Sequence, residues 1–310
     1  MEQLTNIIVG VDLTQGDRFV STELSPPNVE AVKRAMWLAK LNSARLKFFF
    51  ALDVSPTTQR IIQETQGTHR IVLDEAHDVL QGLVSQAAAE GIEASYHVAF
   101  GKSWLELIHQ VQQNHHDLVL AGTRHLGAVR GMLMGSTGMK LLRKCPCPVW
   151  ITQSQAETQI QSVLVAHCLR PVGDIAMETG CALAKLQGSQ LHVLHSLDFS
   201  ERERVFQERG LLEPIHQQQE LAEQHIHAQL AKHTFAHKPI VQVVAEPPAA
   251  ALLNYISQHD IQLLVMGTIA RTGIEGFVTG NTAERLLPQI PCSVLALKPP
   301  GFVSPVSLHS

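Results

Sequence analysis

Apolar residues along this chain gather into two kinds of run. The short ones, such as Ile7-Ile8-Val9, Leu46 to Leu52 and Leu118-Val119-Leu120, lack regular polar alternation. Such runs are expected of strands whose two faces are both covered by helices, as in a parallel sheet. Longer amphipathic segments separate them. The alternation predicts strands over 6–11, 46–52, 94–99, 117–121 and 148–152 in the first half, with helices between them, which is the pattern of βαβ units.

The pattern occurs twice. Displacing the sequence by 145 positions lays Leu38-Ala39-Lys40-Leu41 on Leu183-Ala184-Lys185-Leu186, Gly122-Thr123 on Gly267-Thr268, and Pro146-Cys147 on Pro291-Cys292. Ile7-Ile8-Val9 matches Val163-Leu164-Val165 only at an offset of 156, so the first half carries about eleven extra residues between Thr14 and Asn28. Pro26-Pro27 reads as part of that loop. The polar stretch from Gln153 to Gln159 has no apolar period and reads as a linker, placing one domain at 1–153 and a second at 160–300. The expected fold is α/β, two tandem doubly wound five-stranded parallel sheets.

Composition agrees with this and excludes several classes. A chain of 310 residues exceeds the size at which a single core usually stops growing. It is 45% hydrophobic and 17% charged, no apolar run approaches a membrane span, and the N-terminus lacks signal-peptide character, so a cytoplasmic protein with no membrane partner is expected. Five cysteines without framework spacing read as free thiols. A net charge of −4 gives no general attraction to nucleic acid, and none is expected as a direct partner. The seventeen histidines read as exposed and solvated; otherwise a small shift near pH 6 could charge several together.

In a doubly wound sheet, ligands bind at the carboxyl ends of the strands where strand order reverses. Two loops meet there, one after the first strand and one after the fourth, at Gly122 and again at Gly267. A helix following Gly135-Ser136-Thr137 would aim free N–H groups at an anion, and Gly280-Asn281-Thr282 repeats the arrangement. The hydroxyls of Ser136, Thr137 and Thr282 read either as phosphate contacts or simply as helix caps.

The residues after the fourth strand carry a family resemblance. Gly122-Thr123-Arg124-His125, nine residues, then Gly135-Ser136 is echoed by Gly267-Thr268-Ile269-Ala270, nine residues, then Gly280-Asn281. Together with Leu141-Leu142-Arg143-Lys144-Cys145-Pro146 and Arg271-Thr272-Gly273-Ile274, these resemble the tandem, E-type universal stress proteins over about residues 4 to 307. The resemblance implies a Rossmann-like, adenine nucleotide alpha hydrolase-like fold. It also implies that the halves form a pseudo-two-fold intramolecular pseudo-dimer, with Val149-Trp150-Ile151 and Val294-Leu295-Ala296 at its interface, able to pair further as a homodimer. It implies a stress-response role and ATP as ligand, with Mg2+ accompanying the phosphates.

Carried over, the ligand-binding positions of the first half are Asp12 for the ribose, Ala51 for adenine, and Gly122, Thr123, His125, Gly135, Ser136 and Thr137 for the phosphates. His125 stands where the family has a glycine, which weakens the phosphate loop. In the second half the positions are Ser196, Gly267, Thr268, Ala270, Gly280, Asn281 and Thr282. There Cys168 replaces the ribose carboxylate and is only a weak acceptor.

No nucleophile, base and orienting acid can be assembled from spacing, so no catalytic residue and no enzyme activity beyond weak ATP hydrolysis is expected. His115-His116, His225-x-His227 and Cys145-x-Cys147 lack zinc-site spacing, and no metal site is expected. The cysteine pair, Trp104 and Trp150 read as packing residues. The alternative function is a non-nucleotide, apolar ligand, with Phe48-Phe49-Phe50 lining its cavity and the helical 202–232 stretch covering it, or a ligand-free signalling scaffold. Pro299-Pro300 should end the last strand, and Gly301 to Ser310 should run over the surface.

Overall fold

The computed structural model describes residues 3–14, 20–55, 57–60, 66–123, 134–154, 159–197, 214–268 and 286–308. The chain divides into two compact units, Glu2–Gln155 with Val303–Ser310, and Ala156–Phe302.

The first unit contains β1 (Asn6–Gly10), α1 (Pro26–Asn42), β2 (Arg45–Leu52), α2 (Gln66–Ala89), β3 (Ala94–Phe100), α3 (Ser103–Asn114), β4 (Leu118–Gly122), α4 (Ser136–Lys144) and β5 (Val149–Thr152). Its strands are parallel in the order β3-β2-β1-β4-β5. The five expected strands lie within one residue of these bounds at either end. The chain moves outward from β1 to β3 and then returns to β4, so the strand order reverses between β1 and β4. Ile7, Ile8 and Val9 on β1 and Val119 and Leu120 on β4 are fully buried, as central strands covered on both faces must be.

The second unit repeats the plan with β6 (Ser162–His167), α5 (Pro171–Gln187), β7 (Gln190–Ser196), α6 (Ile215–Leu230), β8 (Ile240–Val244), α7 (Pro248–Gln258), β9 (Leu263–Gly267) and β10 (Ser293–Leu297). Its order is β8-β7-β6-β9-β10, again parallel. The repeat extends to backbone detail. Ser43 after α1 and Gly188 after α5, at the 145-residue offset, both take the left-handed conformation that closes a helix, as do His115 and Asp260. His115 is thus the C-cap of α3.

Two sequence expectations are corrected, and a third is met as far as its residues are described. Pro26 and Pro27 do not belong to the loop; they open α1, where the missing N–H and the fixed φ of proline suit the first turn. The helical stretch expected over 202–232 is described from Ile215 to Leu230, and residues 198–213 lie outside the described residues. The histidines are not all solvated: His116, His167, His192 and His195 are buried.

Those four rings are held neutral. Burial lowers the pKa of His116, His167 and His192 to about 4 each; Lys47 adds to the effect at His116 and His259 at His192. His192 Nδ1 lies 3.0 Å from the Tyr255 hydroxyl, and His195 Nδ1 donates to the His167 carbonyl at 2.8 Å. Collective charging near pH 6 is therefore not a property of these residues. The C-terminal tail leaves β10 at Leu297, before the two prolines, and runs along the first unit. There Gln112 Nε2 donates to the Val306 carbonyl at 2.8 Å and Ser304 Oγ to the Lys144 carbonyl at 2.7 Å.

The buried rings fix the sign of an acid dependence. The unfolded chain protonates His116, His167 and His192 near pH 6.5 and the folded chain only near 4, so between those values the unfolded state binds more protons and stability rises with pH. The urea midpoint should fall as pH is lowered from 6.5 toward 4. His192→Gln, which retains a polar group for Tyr255, should flatten that dependence by on the order of 1 kcal/mol per pH unit. An unchanged slope in the variant would exclude His192 as a contributor.

Candidate functional site

A cavity of about 420 Å³ opens in the first unit at the carboxyl ends of β1, β2 and β4, beside the reversal of strand order. That volume falls in the range of small-molecule sites, about 300–1,000 Å³. Its wall includes Asp12, Ala51, Gly122, Thr123, Gly135, Ser136 and Thr137, which the sequence had assigned to one site from four separate segments. His125 lies outside the described residues.

Asp12 follows β1 and is exposed. Its Oδ1 accepts the Thr14 amide at 2.9 Å and the Thr14 hydroxyl at 2.5 Å, and its own amide donates to Asn28 Oδ1 at 3.2 Å. Both side-chain bonds fall on one carboxylate oxygen. Asp12 is thus a turn-forming residue and a carboxylate at the cavity wall at once. Asn28 was missed from the sequence; its signal is a polar side chain on the buried face of α1, 4% exposed, where it ties Asp12 to Ser25.

The start of α4 forms another part of the wall. The helix begins at Ser136 and its N-cap is Gly135, in an ordinary extended conformation with no side-chain cap hydrogen bond. Capping by the Ser136 or Thr137 hydroxyl is therefore corrected: both residues sit in the first turn, inside the cap. The first helical amide bond runs from Met139 to the Gly135 carbonyl, which leaves the amides of Ser136, Thr137 and Gly138 without an intrahelical acceptor. These amides and the positive end of the helix dipole favour an anion at the cavity wall.

Thr123 is 3% exposed, and its Oγ1 has no hydrogen-bond partner, although its amide donates to the Thr152 carbonyl at 2.9 Å. The equivalent Thr268 spends both donors on one acceptor: its amide and Oγ1 reach the Leu297 carbonyl at 2.8 and 3.0 Å.

Gly122 has a second physical explanation. A Cβ there would come within 2.7 Å of the Pro27 carbonyl carbon and 2.8 Å of the Asn28 nitrogen. The close approach that its glycine permits is that of the first turn of α1. Thr152 Oγ1 donates to the same Pro27 carbonyl at 2.9 Å and fastens that turn. Phe48, Phe49 and Phe50 are core residues, at most 2% exposed, and Phe49 and Phe50 also form cavity wall.

The second unit differs. Only Cys168, Leu169 and Arg170 separate β6 from α5, against fifteen residues between β1 and α1. Leu169 takes a left-handed φ of 51° to make the short turn. Cys168 packs against Gly173, where an added Cβ would lie 3.0 Å from its Sγ, and burial pushes the thiol pKa up. Ser196 Oγ donates to the Glu246 carbonyl. Ala270, Gly280, Asn281 and Thr282 lie outside the described residues.

The residues read as packing do pack. Cys145 and Cys147 are buried with Sγ atoms 3.6 Å apart, and Trp150 is 1% exposed on β5. Lys140 and Lys144 place ammonium groups 5.1 and 4.9 Å from the ring centroid of Trp104.

Comparison with known proteins matches the universal stress protein family to residues 5–153 and again to 159–298. The chain is 23% identical to Universal stress protein E of Photorhabdus laumondii and 24% identical to that of Escherichia coli K12, in each case over 99% of this chain and 98% of the relative. Among solved structures, a functionally unknown protein from Pseudomonas aeruginosa PAO1 aligns with a TM-score of 0.67 at 20% identity, covering 96% of this chain and 93% of the other. A universal stress protein from Archaeoglobus fulgidus aligns at 0.63 and 17% identity, covering 96% and 99%. At these identities the structures establish the fold.

The two equivalent glycines should respond unequally to a methyl group. At Gly122 the added Cβ meets backbone, which cannot step aside, whereas at Gly267 it meets the Val172 side chain at 2.5 Å. Gly122→Ala should destabilise by about 2–3 kcal/mol, the upper part of the overpacking range, and Gly267→Ala by less. Peptide-resolved amide exchange should show α1 losing more protection in the first variant than α5 in the second, without any ligand added. Equal protection would remove helix packing as the reason for Gly122.

Proposed function

The chain belongs to the universal stress protein family, and from that premise we propose that its first half binds ATP or a closely related adenine nucleotide. The observation that carries this reading is the 420 Å³ cavity, whose wall combines an exposed carboxylate, the backbone at the end of β2 and the unpaired amides opening α4. Each suits one part of a nucleotide. Asp12 can accept two ribose hydroxyls, because one carboxylate offers several lone-pair sites and its Oδ2 is not used by Thr14. The amides of Ser136, Thr137 and Gly138 suit the phosphates, and the buried, unpaired Thr123 hydroxyl adds a donor. Ala51 and Leu52 lie in an apolar section of the wall with Phe50 and Leu107, suited to a planar base. Mg2+ would accompany the phosphates as their counter-ion.

On this reading the second half is the weaker nucleotide site. The carboxylate is replaced by the thiol of Cys168, which burial keeps protonated, and the short turn to α5 supplies no counterpart to Thr14. Binding, not turnover, is the proposed activity, since the described cavity wall presents no base paired with a nucleophile.

Equilibrium titration of the full chain with ATP should give one site per chain. Asp12→Asn keeps an acceptor for the Thr14 amide and therefore the turn, yet removes the charge; it should weaken binding about tenfold, and Asp12→Ala more. Affinity unchanged in both variants would overturn the assignment. Saturable binding of a fatty acid with no response to ATP would favour the apolar reading, which Phe49, Phe50, Leu107, Met134 and Ile151 in the wall support.

A further inference from the structure

The second unit brings together three side chains that sequence spacing keeps far apart. His167 closes β6, Asp174 lies in the first turn of α5, and His225 lies on α6. His167 Nε2 is 3.6 Å from Asp174 Oδ1, His225 Nε2 is 4.0 Å from the same oxygen, and all three donor atoms lie within 4.8 Å of one another. The His167 side chain is fully buried and its Nε2 has no hydrogen-bond partner, although it is aimed into this cluster. Gln229 Nε2 donates to Asp174 Oδ1 at 2.6 Å and orients the carboxylate.

We propose that His167, Asp174 and His225 form a binding site for a divalent transition-metal ion of the zinc class. Two imidazoles and a carboxylate are a donor set for zinc, cobalt or nickel, and not for calcium or magnesium, which take oxygen ligands. Zinc bonds of about 2.0–2.2 Å in a tetrahedron place neighbouring donors about 3.3–3.5 Å apart. The two His–Asp separations of 3.6 and 4.0 Å close to that by under about 1 Å, and the two imidazole nitrogens, within 4.8 Å of each other, by at most about 1.5 Å, movements open to Asp174 and His225, both half exposed. Three protein donors leave a fourth position open to water.

An ordinary contact nearby looks different. His233, in the turn after α6, and Glu178 on α5 make a simple two-group pair at 3.2 Å, with no third donor among the described residues. In the first half the positions equivalent to His167 and Asp174 are Val11 and Val29, so the cluster belongs to the second half and not to the shared repeat.

Coordination has a structural consequence. His167 Nδ1 now accepts the Leu169 amide at 3.2 Å, which places the ring proton on Nε2. A metal on Nε2 requires that proton on Nδ1, so the ring changes tautomer with no net proton gained or lost, and the Leu169 bond is given up. Leu169 is 38% exposed, so its amide passes to water. The left-handed turn over Cys168–Arg170 should therefore loosen as metal binds.

The test uses the full chain without a histidine tag, stripped of metal, and titrated with Co2+ while the visible ligand-field spectrum is recorded. The expected result is saturation at one equivalent, with affinity reduced at least about tenfold in His225→Ala and in Asp174→Asn, and retained in His233→Ala. Asparagine at 174 keeps the Gln229 contact, and residue 225 is half exposed, so both variants should fold; circular dichroism checks that they do. Absence of a saturable spectrum, equal affinity in both ligand variants, or equal loss in His233→Ala would each overturn the site. Faster amide exchange at Leu169 on adding Co2+ is the second readout, and an unchanged rate would exclude coordination through His167 Nε2.

Discussion

The contact on which the first unit's site depends is the one between the end of β4 and the opening turn of α1. Gly122 has no side chain, so the Pro27 carbonyl and Asn28 amide can lie against the strand, and Thr152 Oγ1 fastens Pro27 from β5. Everything at the mouth of the cavity follows from where that turn is held. Asn28 projects from it to take the Asp12 amide and bond Ser25, and Asp12 in turn holds Thr14. A shift of α1 away from β4 would move the carboxylate, its turn and one cavity wall together. The glycine is thus required by helix–strand packing before any ligand arrives.

The same contact in the second unit is made with different atoms. Gly267 faces the side chain of Val172 where Gly122 faces backbone. Only three residues join the first strand to the first helix there, against fifteen in the first unit, and Cys168 packs against Gly173. Two repeats with one topology therefore present different chemistry at equivalent strand ends. The first keeps an exposed carboxylate and free helix amides. The second has a half-buried thiol and a buried imidazole, and places Asp174 and His225 against that imidazole.

Burial of histidine is a recurring feature of these cores. His116, His167, His192 and His195 are buried where apolar residues are usual, and each is neutral at pH 7 because desolvation opposes its charged form. His192 and His195 satisfy a ring nitrogen through Tyr255 and the His167 carbonyl. His167 leaves Nε2 without a hydrogen-bond partner, 3.6 Å from the Asp174 carboxylate.

The family resemblance pointed to seven of the residues that line the first unit's cavity, a minority of its wall, and the sequence alone was enough for the repeat and the strands. These are local properties: hydrophobic period dictates strand or helix within a few residues, and a repeated pattern doubles the signal. It misplaced Pro26-Pro27 because proline favours both loops and first helical turns, and only packing against Gly122 decides between them. It attributed Gly122 to ligand approach because the absent side chain looks the same whether a phosphate or a helix backbone occupies the space. The meeting of His167, Asp174 and His225 was beyond it altogether. Their donor atoms converge only once the short turn after β6 sets α5 and the packing of Ala222 and Ile226 sets α6, and no spacing in the chain encodes that distance.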